Sequence, residues 1–224
     1  MSITESYLLF QRFFFTKPII IEDLPTGSKD EIVALPDKTI VRLSPESEEK
    51  DMAEILSAVK LAETDPLLVT FFYQKDLSKQ ESVYATMFYL LCEPLKNAWV
   101  YGIMRHYIPD VYEKEIQELL NMWDLITGGK PVVDSDPKII QQALGIWAVI
   151  SENPANKVEL KLTYRGAPEG RRQWDRYLSA IAEFSRQKPS VDLYIKLAEI
   201  SEAPYQVKVI VEEGIRVFEV RKRT

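Results

Sequence analysis

The sequence predicts an α+β fold: N-terminal β-strands and hairpins, a central helical region, and a C-terminal β-α-β-β-β module with an antiparallel sheet. Three observations predict it. Lys157-Val-Glu-Leu-Lys-Leu-Thr-Tyr164 alternates apolar with polar residues, the two-residue period of a half-buried strand. Arg171 to Gln187 changes period, and Trp174, Tyr177, Leu178, Ile181 and Phe184 recur at helical spacing. Val207, Val209 and Val211, then Ile215 and Val217, flank Glu213-Gly214, a hairpin signal because glycine accepts positive φ. Val191, Leu193, Ile195 and Leu197 alternate as well and predict one more strand between the helix and the hairpin. A helix laid over an antiparallel sheet buries both apolar faces.

From the N-terminus, Ser6 to Thr16 is an apolar, aromatic run that reads as a strand. Pro18-Ile-Ile-Ile21 reads as a second, with proline at its start as on an edge strand. Glu31-Ile-Val-Ala-Leu35 and Thr39-Ile-Val-Arg-Leu43 bracket Pro36-Asp37-Lys38 and predict a hairpin.

Helical signals follow. Ser44-Pro45 predicts an N-cap and first helical residue, with Met52, Ile55, Leu56 and Val59 as the apolar stripe. Leu67 to Tyr73 fits either a short strand or helix. Ser78-Lys-Gln-Glu81 fits a capping box, and Val83, Tyr84, Met87, Phe88 and Leu91 predict a largely buried helix. Pro94 is expected to break or kink it, with a further helix from Lys96 to Tyr107, ending before Pro109. Asp110 with Glu113 predicts the next cap. Ile116, Leu119, Leu120, Trp123 and Ile126 line one face, and Gly128-Gly129 stops that helix. Asp136-Pro137 opens another, with Ile140, Ala143, Leu144 and Trp147 inward. Ile116–Trp123 and Ile140–Trp147 align with each other, which would suit a short helical repeat or two similar amphipathic helices.

A chain of 224 residues accommodates one or two domains. Asn153-Pro154 is the expected boundary, dividing an acidic strand-plus-helical region (1–155) from the C-terminal α+β module (156–224) unless the two form one continuous domain. Residues 156–224 carry 14 basic and 10 acidic side chains, a net +4; the 14 basic and 24 acidic ones of residues 1–155 make −10 of the total −6. An acidic front and a basic back can attract each other or neighbouring copies. The single cysteine excludes an intrachain disulfide framework. No apolar run approaches the roughly 20 residues of a membrane span. Met1 to Tyr7 has neither a basic region nor a cleavage site, so no signal peptide is expected. The expected location is intracellular, in the cytoplasm or within a virion or other complex.

Residues able to carry chemistry are few. The single histidine, His106, excludes a histidine metal cluster and reads as a partly exposed helix residue. Cys92 sits among apolar residues and reads as a buried, inert thiol. Thr127-Gly-Gly-Lys130 lacks the spacing of a phosphate loop and reads as a helix stop. No cofactor is expected. Dispersed carboxylates leave metal-assisted catalysis as one alternative function. The basic residues Arg171, Arg172 and Arg176 and the terminal Arg221, Lys222 and Arg223 are the candidate interaction residues. With Tyr164, Trp174 and Tyr177 among them they make single-stranded nucleic acid a second alternative, opposed by the net charge of −6.

Val158-Glu-Leu-Lys-Leu-Thr163, Trp174-Asp-Arg-Tyr177, the terminal strand pair and Phe13-Phe-Phe-Thr16 resemble segments of rhabdovirus matrix proteins. That family's basic, proline-rich N-terminus has no counterpart here, so its membrane and nucleocapsid binding are not implied. Ile32-Val-Ala-Leu-Pro-Asp-Lys-Thr-Ile-Val-Arg-Leu43 followed by an acidic helix is similar to the opening of some phage tail-assembly chaperones. Both resemblances imply a structural or assembly role. The expected function is therefore a non-enzymatic structural or assembly protein acting through protein–protein contacts, with itself or with other chains.

Overall fold

The computed structural model describes residues 15–35, 37–45, 47, 49–127, 132–134, 137–151, 162–164, 168–200 and 205–223. It is an α+β structure with N-terminal strands, central helices and a C-terminal antiparallel strand pair. Strand β1 (Ile19–Asp23) lies at one edge of a three-stranded sheet, in the order β1-β3-β2. β2 (Glu31–Ala34) and β3 (Thr39–Leu43) form the expected antiparallel hairpin, and β1 pairs parallel with β3. The first expected strand, Ser6 to Thr16, lies outside the described residues apart from Phe15 and Thr16.

Helix α1 (Glu49–Thr64) begins later than Ser44-Pro45 suggests. The Asp30 carboxylate accepts the Ser44 N–H at 2.7 Å and the Ser47 hydroxyl at 2.7 and 2.8 Å. Those bonds hold Ser44 and Ser47 to Asp30 ahead of the helix. Near the other end of α1, the Glu63 carboxylate accepts the backbone N–H groups of Thr16 and Lys17 at 3.0 and 3.1 Å and pairs with Lys60. Its side chain is 5% exposed. Burial alone would raise its pKa, but these donors and the Lys60 ammonium outweigh it and hold the carboxyl below the usual glutamate value. A depressed acid contributes stability above its unfolded pKa and loses it as pH falls through the folded value. Glu63→Gln should therefore cost about 1–2 kcal/mol at neutral pH. The gap from wild type should close as pH falls below the glutamate range, in urea melts run across that range.

Leu67 to Tyr73 resolves into both of its alternatives. Leu67–Thr70 is one short helix, α2, and Phe71 then reverses the chain at φ 47°. The next residues run alongside the last strand, with an isolated parallel bridge between Tyr73 and Phe218.

Helix α3 (Lys79–Tyr107) is the organising element. Its capping box is present: Ser78 Oγ accepts the Glu81 N–H, and the Glu81 carboxylate accepts the Ser78 N–H at 3.0 Å. Pro94, expected to break or kink the helix, lies inside one element of 29 residues. Burial of α3 against its neighbouring elements outweighs a local backbone defect worth about 3 kcal/mol. α3 packs against α1, against α4 (Pro109–Thr127) and α5 (Pro137–Ile150), and against the C-terminal elements α6 (Pro168–Phe184), α7 (Val191–Ile200) and β7 (Ile215–Lys222). α4 starts at Pro109, so Asp110 lies in its first turn. Ile116 and Trp123 are buried as the stripe requires, and α5 buries Ala143, Leu144 and Trp147. The glycine pair after α4 and the Asn153-Pro154 boundary fall outside the described residues.

The C-terminal module departs from β-α-β-β-β in two places. Only Leu162–Tyr164 of the first predicted strand is described, as β5, and it pairs parallel with β4 (Val132–Asp134) across helix α5. It therefore joins residues from before the expected boundary, not the C-terminal hairpin. The segment expected as a strand from Val191 is helix α7. Ser190 Oγ accepts the Leu193 N–H at 3.1 Å and the Ser190 carbonyl accepts the Tyr194 N–H at 3.1 Å, which opens the helix. Val191, Leu193, Tyr194, Leu197 and Ala198 are its buried residues, a helical set.

The final hairpin is as expected. β6 (Tyr205–Glu212) pairs antiparallel with β7 through Glu213 (φ 51°) and Gly214 (φ 81°), the positive pair that a two-residue turn of this hand requires. The register sets Val209 opposite Phe218 and Val207 opposite Val220, and all but the half-buried Val209 are buried against the core.

Candidate functional site

The buried face of α3 carries Tyr84, Phe88, Leu91 and Leu95. A second stripe follows from the same spacing: Val83, Met87, Leu90, Pro94, Asn97 and Tyr101 recur every third or fourth residue. The sequence assigns Val83 and Met87 to the buried set, but they are 53% and 39% exposed. The second stripe forms the floor of a groove whose walls are α4, through Leu119 and Met122, and α5, through Gly145, Ile146 and Val149. The cavity at its centre has a volume of 740 Å³. Val83 and Met87 lie on the same stripe but outside the residues that line the cavity. From Val83 to Tyr101 the stripe runs about 27 Å at 1.5 Å per residue.

Pro94 lies in this floor. Position 94 supplies no N–H, so the Leu90 carbonyl loses its usual donor one turn on, and Leu90 and Pro94 both line the groove. At the far end, the Tyr101 hydroxyl donates to Glu54 Oε1 at 3.1 Å. Burial, followed by the Glu54 and Glu115 carboxylates, pushes the Tyr101 pKa far up, so it stays a neutral donor. Glu93 pairs with Lys96 at 2.5 Å, and the Lys96 ammonium sits 5.8 Å from the Tyr89 ring centroid. The groove is thus a long apolar trough with a proline-freed acceptor and carboxylates at its rim.

The candidate interaction residues lie elsewhere. Arg171, Arg172 and Arg176 are on the exposed side of α6, whose buried side carries Tyr177, Leu178, Ile181 and Phe184. Arg221, Lys222 and Arg223 are exposed at the end of β7. Arg221 pairs with Glu219 at 2.7 Å, and Arg223 Nε donates to the Tyr205 carbonyl at 2.9 Å, so both serve the hairpin itself.

The outer edge of β7 is occupied. The Phe218 N–H donates to the Phe72 carbonyl at 2.7 Å, and the Gln74 N–H donates to the Phe218 carbonyl at 3.0 Å. The Gln74 side chain then brackets Val220, accepting its N–H at 2.9 Å and donating to its carbonyl at 3.1 Å.

His106 is exposed in the last turn of α3, with its ring edge-on to Tyr107 at 4.5 Å. It borders a smaller cleft of 320 Å³ with Trp99, Arg186 and Lys188. Cys92 is fully buried, and burial followed by the neighbouring Glu93 pushes its thiol pKa well above the usual value, which disfavours the thiolate. Among the described residues no group of three or more His, Cys, Asp or Glu side chains is placed to hold a metal ion, and no helix is long and apolar enough to cross a membrane.

The groove residues were missed by sequence reasoning because α3 is apolar on two faces. Its surplus of apolar positions over what one buried face needs was the available signal. No protein-family model, curated protein or solved structure matches the chain.

Proposed function

We propose that the chain is a non-enzymatic assembly protein acting through protein–protein contacts, and that its working surface is the α3–α4–α5 groove. One observation supports this reading above the others. Met122, 47% exposed, lines a preformed cavity, and Val83 and Met87, at 53% and 39% exposure, lie on the same helical stripe of α3 as the residues of its floor. Single exposed apolar residues are ordinary on a surface, but a converging set marks a contact. A cavity floored by α3 from Thr86 to Tyr101, about 22 Å at 1.5 Å per residue, and walled by two more helices has the dimensions of a helix-in-groove site. Methionines at its mouth can adapt to a partner's side chains.

The test compares the wild type with Met87→Glu combined with Met122→Glu. Both positions are exposed, so the double variant should keep its melting temperature. The native mass of the wild-type complex from its source should exceed that of the chain alone, and the double variant should fall to the chain's own mass. Sedimentation velocity of the purified chain from low to high salt separates self-association from hetero-partners, because exposed charge contacts are screened once the Debye length falls to about 3 Å at 1 M. A wild type that runs at its own mass under all these conditions would sink the assembly reading.

A further inference from the structure

We propose that the occupant of the groove is a basic amphipathic helix of a protein partner, an inference that rests on the assembly reading above. The argument is one of charge complementarity. Helix α4, one wall, carries five carboxylates against a single lysine. Glu115 of that wall reaches the Tyr101 hydroxyl at the floor. Glu118 is exposed one turn before Met122 and so lies along the same rim. Glu93 lines the cavity. Glu93 pairs with Lys96, and Lys114 lies one turn before Glu118 on the same helix. An apolar trough edged by carboxylates rejects a helix with an acidic polar face, because like charges would meet across the rim. It accepts one whose apolar face fills the trough and whose flanking lysines or arginines reach Glu115 and Glu118.

This chain's own amphipathic helix α6, with three arginines against three carboxylates, does not qualify. The apolar face of α6 is already buried against α3 through Tyr177, whose hydroxyl donates to the Leu91 carbonyl at 3.2 Å. The proposed occupant is a helix of a different chain. Its helix needs about 18 residues to run from Val83 to Tyr101.

The probes are two synthetic helical peptides of that length. They share one leucine–alanine apolar face and carry either lysine or glutamate on the polar face. Each is titrated into the full chain by isothermal calorimetry at low and at physiological salt. The lysine peptide should bind at least about tenfold more tightly than the glutamate peptide at low salt, and the ratio should shrink as salt is added. Met87→Glu with Met122→Glu should abolish binding. Glu118→Lys, at an exposed site that leaves the fold intact, should narrow or reverse the preference.

Equal binding of both peptides, lost in the methionine double variant, overturns the basic-helix inference and leaves helix docking standing. Binding of neither peptide, or binding that the double variant does not change, removes both. A dimer of the chain alone that disappears in the double variant would put a second copy in the groove and overturn the inference as well.

Discussion

Replacing Phe218 by Ala is expected to lower the unfolding free energy by about 3–5 kcal/mol, the range for a large buried aromatic. The ring is fully buried where three parts of the chain meet. It lies edge-on to Phe88 of α3 at 4.9 Å, and next to Phe71 at 5.7 Å and Tyr73 at 6.2 Å. Its backbone is the hinge of the pairing with residues 72 to 74. Truncation leaves a cavity whose walls belong to different elements and cannot collapse as one unit. A loss of that size is a large part of the roughly 5–15 kcal/mol that holds a domain together. Urea unfolding gives the number directly. Phe218→Leu serves as the companion, because it keeps most of the volume and should cost clearly less. A loss below about 1 kcal/mol for Phe218→Ala would place the ring outside the core.

Tyr73, Tyr177 and Tyr194 follow the same logic around α3. Each carries a polar tip into the interior and finds a backbone carbonyl there: Ala85 at 2.9 Å, Leu91 at 3.2 Å and Leu68 at 3.5 Å. Tyr73 ties the segment after α2 to α3, Tyr177 ties α6 to α3, and Tyr194 ties α7 to α2. Tyr205 stacks on Tyr84 at 5.6 Å, but its buried hydroxyl has no hydrogen-bond partner among the described residues. Burial is the first cause that pushes its pKa up.

Much of this architecture was legible wherever the signal was local. The β2–β3 hairpin, the Glu213-Gly214 turn, the Ser78–Glu81 cap and the α4 stripe each depend on neighbours within a few residues. Val191 to Leu197 misled because its alternation is real. Tyr194 and Ala198 complete a helical set on the same stretch, and Ser190 after Pro189 supplies the cap that decides between the two periods. Pairing partners were beyond local reading. The assignment of β5 to β4, and of residues 72 to 74 to the far edge of β7, is set by packing over long sequence separations. The groove was illegible for a related reason. The stripe Val83–Met87–Leu90–Pro94 is as apolar as the stripe Tyr84–Phe88–Leu91–Leu95, and only the placement of α4 and α5 decides which is covered.

Pro94→Ala is expected to stabilise the fold by about 2–3 kcal/mol, since proline in a helix interior is about 3 kcal/mol worse than alanine. The substitution restores an N–H at position 94 and with it the missing donor for the Leu90 carbonyl. Part of the gain is offset by the ring's own packing, because Pro94 is buried where it lines the trough. A helix under no other demand would not keep this residue at its centre, and the proposed docking surface supplies the demand. The ring is part of the groove floor, and under the proposed docking the Leu90 carbonyl would accept from a partner's side chain. The same variant should therefore bind the lysine peptide more weakly while melting at a higher temperature, the trade expected where a site is built on a local defect. Thermal melting and calorimetry on one preparation measure both. A variant that gains stability and keeps full affinity would detach Pro94 from the site. One that loses stability would show that the ring's packing outweighs the repaired hydrogen bond.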